Sequence, residues 1–246
     1  MAQGYRDMYN RDFRSAHIVF AAWIAAHPED PFGPASDAAA YLFGEFDSLN
    51  VIDVQLFKDT STDPNKKQLP VDPNLRSDFN RRTDQAEKLA DAMIAKNAND
   101  AQALFVKMFI YGLRADYAEM LDKSDFKALK YSKIGAQYSD RALAADPQLY
   151  DAHVATGFDN YMLSLKPAPV RFIARLLGGQ TDKAKGISEL KLTAQNGKYL
   201  APFAKILLSV AELREGNNAE AKAILQSLAR DFPENPMYPH QVERIH

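Results

Sequence analysis

Apolar residues recur at steps of three and four positions, the spacing that places side chains on one face of an α-helix. Three stretches show it most clearly: Phe13, Ala16, Phe20, Trp23 and Ile24; Leu104, Met108 and Tyr111; and Leu207, Val210 and Leu213. The two-residue alternation that predicts a β-strand is scarce. We therefore expect an all-α fold of about nine or ten helices. Trp23, the single tryptophan, is assigned to the core.

Proline and asparagine or aspartate separate the periodic stretches. These breaks fall at His27–Pro31, Asn97–Asp100, Asp146–Pro147 and Phe232–Pro236. Proline cannot continue a helix, and an aspartate or asparagine side chain can cap the next one. Each break therefore predicts the end of one helix and the start of another.

The breaks belong to a larger repeat that is clearest between Ala201 and Pro236. A small residue, Ser209, lies in a predicted first helix. A polar turn containing Gly216 follows, then Ala221 early in a second helix, and Pro233 closes the segment. This arrangement resembles a tetratricopeptide repeat, in which small residues let the two helices of a hairpin approach closely.

The resemblance extends over most of the chain. Aligning the four breaks places a small residue early in each second helix: Ala16, Ala86, Gly135 and Ala221. The matching positions of the first helices hold Ala38, Met108, Gly157 and Ser209. We expect Ala16, Ala86 and Ala221 to lie at tight helix contacts. The resemblance implies an α-solenoid of stacked antiparallel hairpins, forming a single domain over residues 1–246.

The breaks are farther apart than the repeat length of roughly 34 residues, which predicts inserted sequence. We expect an irregular insertion at about 51–78, with a short helix near Val51–Phe57, because this stretch is rich in turn residues. A second insertion, at about 116–130, could extend or add a helix. A divergent hairpin is expected at about 163–200, with Gly178 and Gly179 as its turn.

Composition excludes several classes of function. The 246 residues are 46% hydrophobic and carry a formal charge of −2, so no global field favours nucleic acid and we expect no nucleic-acid partner. The longest apolar run, Ile18–Ala26, is too short to cross a bilayer. The absence of cysteine excludes disulfides and thiolate chemistry.

No motif for catalysis or metal binding emerges from the residues. The five histidines are far apart in sequence and none has the spacing of a helical zinc motif. The alternation from Asp59 to Asn65 lacks the glycine and the glutamate that a calcium loop requires. We therefore expect a protein without a cofactor or metal, and without enzymatic activity.

The resemblance also implies a binding surface, because tetratricopeptide arrays bind partners along the concave wall made by their first helices. The matched positions here are largely apolar, and the candidate ligand-binding residues are Phe105, Phe109, Phe158, Tyr161, Met162, Val210 and Arg214. They predict an apolar groove that binds a protein or peptide partner. An alternative is that inserted segments cover this wall.

Two further functions stay open at this point. The insertions could roof a pocket for a small molecule or a reaction. A helix at 170–177, with Arg171 and Arg175 beside apolar residues, could touch an anionic membrane surface. The segments Phe109–Tyr117 and Phe158–Tyr161 resemble exported bacterial tetratricopeptide-like proteins. This implies a periplasmic or otherwise exported protein, with the cytoplasm as the alternative; the oligomeric state is left open.

Overall fold

The computed structural model describes residues 1–51, 69–165 and 182–246. Eleven α-helices and no β-strand lie in these ranges, so the prediction of an all-α fold is confirmed. The helices are α1 (Ala2–Tyr9), α2 (Phe13–Ala26), α3 (Phe32–Ser48), α4 (Pro73–Lys96), α5 (Ala101–Met120), α6 (Asp125–Ala145), α7 (His153–Ser164), α8 (Lys183–Asn196), α9 (Ala201–Arg214), α10 (Asn218–Asp231) and α11 (Met237–Arg244). The count exceeds the expected nine or ten, because both ends of the chain form a short additional helix.

The chain divides into two compact units, Met1–Gly135 and Ala136–His246, and the division falls inside α6. Consecutive helices pack on one another within each unit: α1 through α5 in the first, and α7 through α11 in the second. Short connections make such neighbours antiparallel. The single domain over residues 1–246 stays a prediction.

The predicted breaks are the connections between these helices. Asp100 caps α5, since its carboxylate accepts a hydrogen bond of 2.9 Å from the backbone N–H of Ala103. In the same way, Asp30 accepts one from the N–H of Phe32 at the start of α3. Aspartate therefore starts the next helix, as the sequence indicated.

The small residues lie where neighbouring helices meet. Ala16, Ala86 and Ala221 are fully buried, as tight helix contacts at these positions require. Gly135 in α6 lies against α5, and a β-carbon there would sit 3.5 Å from the backbone oxygen of Met108. Close approach of two backbones is what a small side chain permits in a helical hairpin.

The three predicted insertions agree with the structure to different degrees. The first was expected to be irregular up to about residue 78, but Asp72 and Pro73 begin a helix rather than a turn: Asp72 is the N-cap of α4 and Pro73 its first residue. Residues 52–68, which include most of the expected short helix, lie outside the described residues. The second insertion extends α5 and α6. In the third, α8 packs between α7 and α9, and the turn expected at residues 178–179 lies outside the described residues.

Trp23 was assigned to the core, and this prediction is wrong. The side chain is half-buried at the end of α2, where its Nε1 donates a hydrogen bond of 2.8 Å to Asp30. Its ring stacks on His27 with centroids 4.0 Å apart. The indole therefore links the end of α2 to the loop between α2 and α3, where Asp30 accepts its N–H.

Two charged clusters join helices of the first unit. Asp37 on α3 is buried and pairs with His17 of α2 and Arg82 of α4, both at 2.6 Å. Between α4 and α5, Glu87 accepts hydrogen bonds from Lys107 at 2.7 Å and Arg114 at 2.6 Å. Burial raises the pKa of Glu87, but these bonds outweigh it and lower the pKa to about 2.

Candidate binding surface

The seven candidate ligand-binding residues fall in both compact units. Phe105 and Phe109 lie on α5 in the first unit. The other five, Phe158, Tyr161, Met162, Val210 and Arg214, lie on α7 and α9 in the second unit. Both groups lie on the first helices of hairpins, as expected, but they differ in how far their side chains are exposed.

Phe105 and Phe109 belong to the core of the first unit. Their side chains are only 5% and 7% exposed, and their rings stack with centroids 6.1 Å apart. Phe32, in the first turn of α3, packs on both rings at 5.7 and 6.2 Å. At these two positions the apolar wall is therefore covered, by Phe32 of the preceding hairpin, which agrees with the alternative of a covered wall and not with an open groove. Their role toward a ligand stays a prediction.

The residues of the second unit differ in exposure. Tyr161 and Val210 are buried, at 2% and 5% exposure. An open groove would expose Tyr161, whereas the structure buries it. Phe158 and Met162, one turn apart on α7, are half-buried. Arg214 at the end of α9 is exposed, and its Nη1 lies 3.7 Å from the sulfur of Met162.

Leu165 extends this surface beyond the end of α7, where it is 42% exposed. Phe158, Met162, Leu165 and Arg214 together are called the second-unit strip. Sequence reasoning missed Leu165 because it follows the last periodic position of α7. The sequence feature that could have identified Leu165 is its spacing: it lies two helical turns after Phe158 and so continues the apolar row of Phe158 and Met162.

Glycine sets the distance between α7 and α8 beneath this surface. A β-carbon added at Gly186 would lie 2.7 Å from the backbone nitrogen of Tyr161 and 2.8 Å from the backbone oxygen of Gly157. The two helices therefore meet backbone to backbone, which holds Tyr161 in its buried position. The sequence pointed to Gly157 but not to its partner, because Gly186 lies in the segment where the repeat is least regular.

A buried carboxylate fixes the start of α9 against the start of α7. Asp151 accepts backbone hydrogen bonds from Lys198, Tyr199 and Leu200 at 3.0 to 3.1 Å. Burial raises the pKa of Asp151, and these bonds oppose the rise. A β-carbon at Gly197 would meet the same carboxylate, so this position requires glycine. Asp151 thereby helps to set where Val210 and Arg214 stand relative to α7.

Charge is distributed unevenly around the strip. Lys183, in the first turn of α8, pairs with Glu215 just after α9 at 2.5 Å. Among the residues that the structure describes, no carboxylate forms an ion pair with Arg214. Burial raises the pKa of the Tyr161 hydroxyl, and the charge of Arg214 opposes the rise. The strip thus combines apolar side chains with one exposed guanidinium.

The structure also bears on metal binding and on membrane contact, the other two kinds of site considered from the sequence. Within residues 1–51, 69–165 and 182–246, no group of three or more histidine, aspartate or glutamate side chains is placed to hold a metal ion. In the same ranges, no helix combines the length and apolar character needed to span a bilayer. The basic stretch at 170–177, which could touch a membrane, lies outside the described residues, as does most of the first insertion, which could roof a pocket.

Comparison with known proteins adds one structural likeness. No family model matches the sequence, and no curated protein matches it. The crystal structure of TTC0263, a thermophilic TPR protein of Thermus thermophilus, is similar with a TM-score of 0.48 and 14% sequence identity. The likeness covers 100% of this chain and 98% of that one.

Proposed function

We propose that this chain is a non-enzymatic scaffold that binds a segment of another protein at the second-unit strip. The observation that carries the proposal is the contact between Met162 and the exposed Arg214, which brings apolar and cationic groups from two first helices together. Tyr161 and Val210, on the same two helices, are buried, so their side chains are ordered before a partner binds. A preorganised surface loses little entropy when a partner docks.

The chemistry of the strip indicates what the partner segment contains. Apolar side chains at helical or extended spacing would contact Phe158, Met162 and Leu165. An acidic group beside them would pair with Arg214, which the described carboxylates leave available. We therefore propose a short amphipathic segment with at least one carboxylate. An exported location is part of this proposal and is supported by the sequence resemblance alone.

Site-specific photocrosslinking tests the proposal. A photoreactive amino acid at Leu165, in the full chain expressed in its native host, should capture the partner for identification by mass spectrometry. Leu192 on α8 is the matched control, because it is a leucine of similar exposure, 38%, outside the strip. The adduct at Leu165 should vanish when Arg214→Glu is added. Equal adducts at both positions, or none at Leu165, would contradict the proposal.

A further inference from the structure

Two apolar side chains project from the first turns of α6 in the first unit. Phe126 is 80% exposed and Leu129 is 53% exposed, whereas Ala128 between them is buried and faces the core. At three residues apart, Phe126 and Leu129 share one side of the helix. Helix packing therefore leaves this side uncovered, and neither side chain contributes to the core.

Three lysines surround the apolar pair. Lys127, Lys130 and Lys133 are all exposed, and residues 126–135 contain no acidic side chain. In the part of the chain that the structure describes, none of the three forms an ion pair. The nearby Asp122 is already paired with Arg76 at 2.9 Å. These five residues, Phe126, Lys127, Leu129, Lys130 and Lys133, are called the α6 patch.

We propose that the α6 patch docks on an anionic lipid surface. Exposed aromatic and aliphatic side chains beside lysines are the combination by which helices lie in the interface of a bilayer. Phenylalanine and leucine would enter the boundary of the acyl chains. The long lysine stems would lie along the apolar region while their ammonium groups pair with anionic headgroups.

A lipid surface fits the shape of the patch better than an acidic protein does. A side chain that is 80% exposed protrudes instead of lining a groove. A rigid protein would need a pocket matched to this protrusion, whereas a fluid interface accommodates it without one. The three lysines outnumber the one exposed carboxylate beside them, Asp125 at the start of α6. Their charge complements a sheet of anionic headgroups, since every lysine finds a partner on it.

The expected binding is weak, reversible and dependent on salt. Each lysine near an anionic bilayer contributes a factor of about five to the partition coefficient. Two apolar side chains add to this without anchoring the protein permanently. Salt screens exposed charges, so binding should weaken as the sodium chloride concentration rises. Vesicles of zwitterionic lipid should bind much less protein than anionic vesicles.

Flotation of the full chain with vesicles tests the inference. Wild-type protein should float with vesicles that contain phosphatidylglycerol and not with phosphatidylcholine alone. A Phe126→Ala, Leu129→Ala variant and a variant with Lys127, Lys130 and Lys133 changed to glutamine should each lose this binding. The matched controls are Ile18→Ala, another exposed apolar position, and glutamine at the exposed Lys88, Lys96 and Lys191, which should bind as wild type.

A fluorescent probe locates the contact directly. The chain has no cysteine, so Phe126→Cys gives a unique site for an environment-sensitive dye, and Ile18→Cys gives its control. The dye at position 126 should shift to the blue with anionic vesicles, and the dye at position 18 should not. No binding to anionic vesicles would overturn the inference, as would equal binding by the patch and control variants. An acidic protein captured at position 126 without vesicle binding would also overturn it. None of these results bears on the second-unit strip.

Discussion

The glycine contact between α7 and α8 leads to a sharp prediction about stability. In Gly186→Ala, the new methyl group meets two backbone atoms of α7, the nitrogen of Tyr161 at 2.7 Å and the oxygen of Gly157 at 2.8 Å. Backbone atoms in a helix cannot move aside singly. The substitution must therefore push α7 and α8 apart, and it would disturb the buried Tyr161 beneath the strip.

The magnitude follows from two opposing effects. Overpacking a close contact costs up to roughly 3 kcal/mol, and the rigid backbone on the far side places this case at the upper end. The higher helix propensity of alanine than of glycine offsets about 1 kcal/mol of this loss in the free energy of unfolding. We expect Gly186→Ala to lower the free energy of unfolding by about 2 kcal/mol. In a chain of this size, that is a fall in Tm of roughly 4 to 8 °C.

Gly112→Ala is the matched control. Gly112 also lies inside a helix, α5, but a β-carbon there has no neighbour within 4 Å. Only the helix preference then acts, so this variant should gain up to about 1 kcal/mol. Urea denaturation followed by circular dichroism measures both variants. The reasoning is refuted if Gly186→Ala is as stable as wild type, because α7 and α8 would then not meet at these glycines.

Three further predictions concern the contacts that hold the helices together. Glu87→Gln should lower the free energy of unfolding by roughly 1–3 kcal/mol at pH 7. The pKa of Glu87 is about 2 in the folded protein against an ordinary value of 4.5, so the ionised carboxylate stabilises the fold above pH 4.5 and this stabilisation is lost toward pH 2. The difference in unfolding free energy between wild type and variant, measured with urea, should therefore close over that range. Asp151→Ala should lower the free energy of unfolding by about 3 kcal/mol, because the buried loop at 198–200 loses the acceptor of its backbone N–H groups; a loss below about 1 kcal/mol would argue against this role. Ala221→Leu should cost roughly 1–3 kcal/mol through overpacking, while leucine at the exposed Ala223 should leave Tm unchanged.

The helical hairpins could be predicted from the sequence because their signals are local. A break such as Asn97–Asp100 contains its own helix stop and the cap of the next helix. The small residues repeat at matching positions, and the fully buried Ala16 and Ala221 confirm that reading. Periodicity did not give the faces of α5 and α9, because residues 103–110 and 206–212 are buried on every side of these helices.

Exposure along those faces could not be predicted, because it depends on residues distant in sequence. Phe105 is covered by Phe32 from another hairpin, and nothing around Phe105 records that contact. The same holds for Gly157 and Gly186, whose approach appears only when α8 is in place. The exposure of Phe126 is a further case, since the sequence predicted only that the insertion at about 116–130 could extend or add a helix and made no prediction for this side chain.

The part of the candidate site that survives is the part where two first helices meet. Met162 and Arg214 were both proposed from the repeat alignment, and the structure brings their side chains within 3.7 Å. The alignment gave the positions of the candidate residues but not their exposure. Tyr161 is buried where α7 meets α8 at Gly186, a glycine contact that the repeat pattern did not contain.

The most direct test of the proposed scaffold is the affinity of the partner segment captured at Leu165 for folded variants of the chain. Its Kd should rise at least about tenfold for Phe158→Ala and for Arg214→Gln, because each removes an anchor worth roughly 1.4 kcal/mol or more. The control Leu192→Ala should bind with the Kd of wild type. An unchanged Kd in both strip variants would contradict the account.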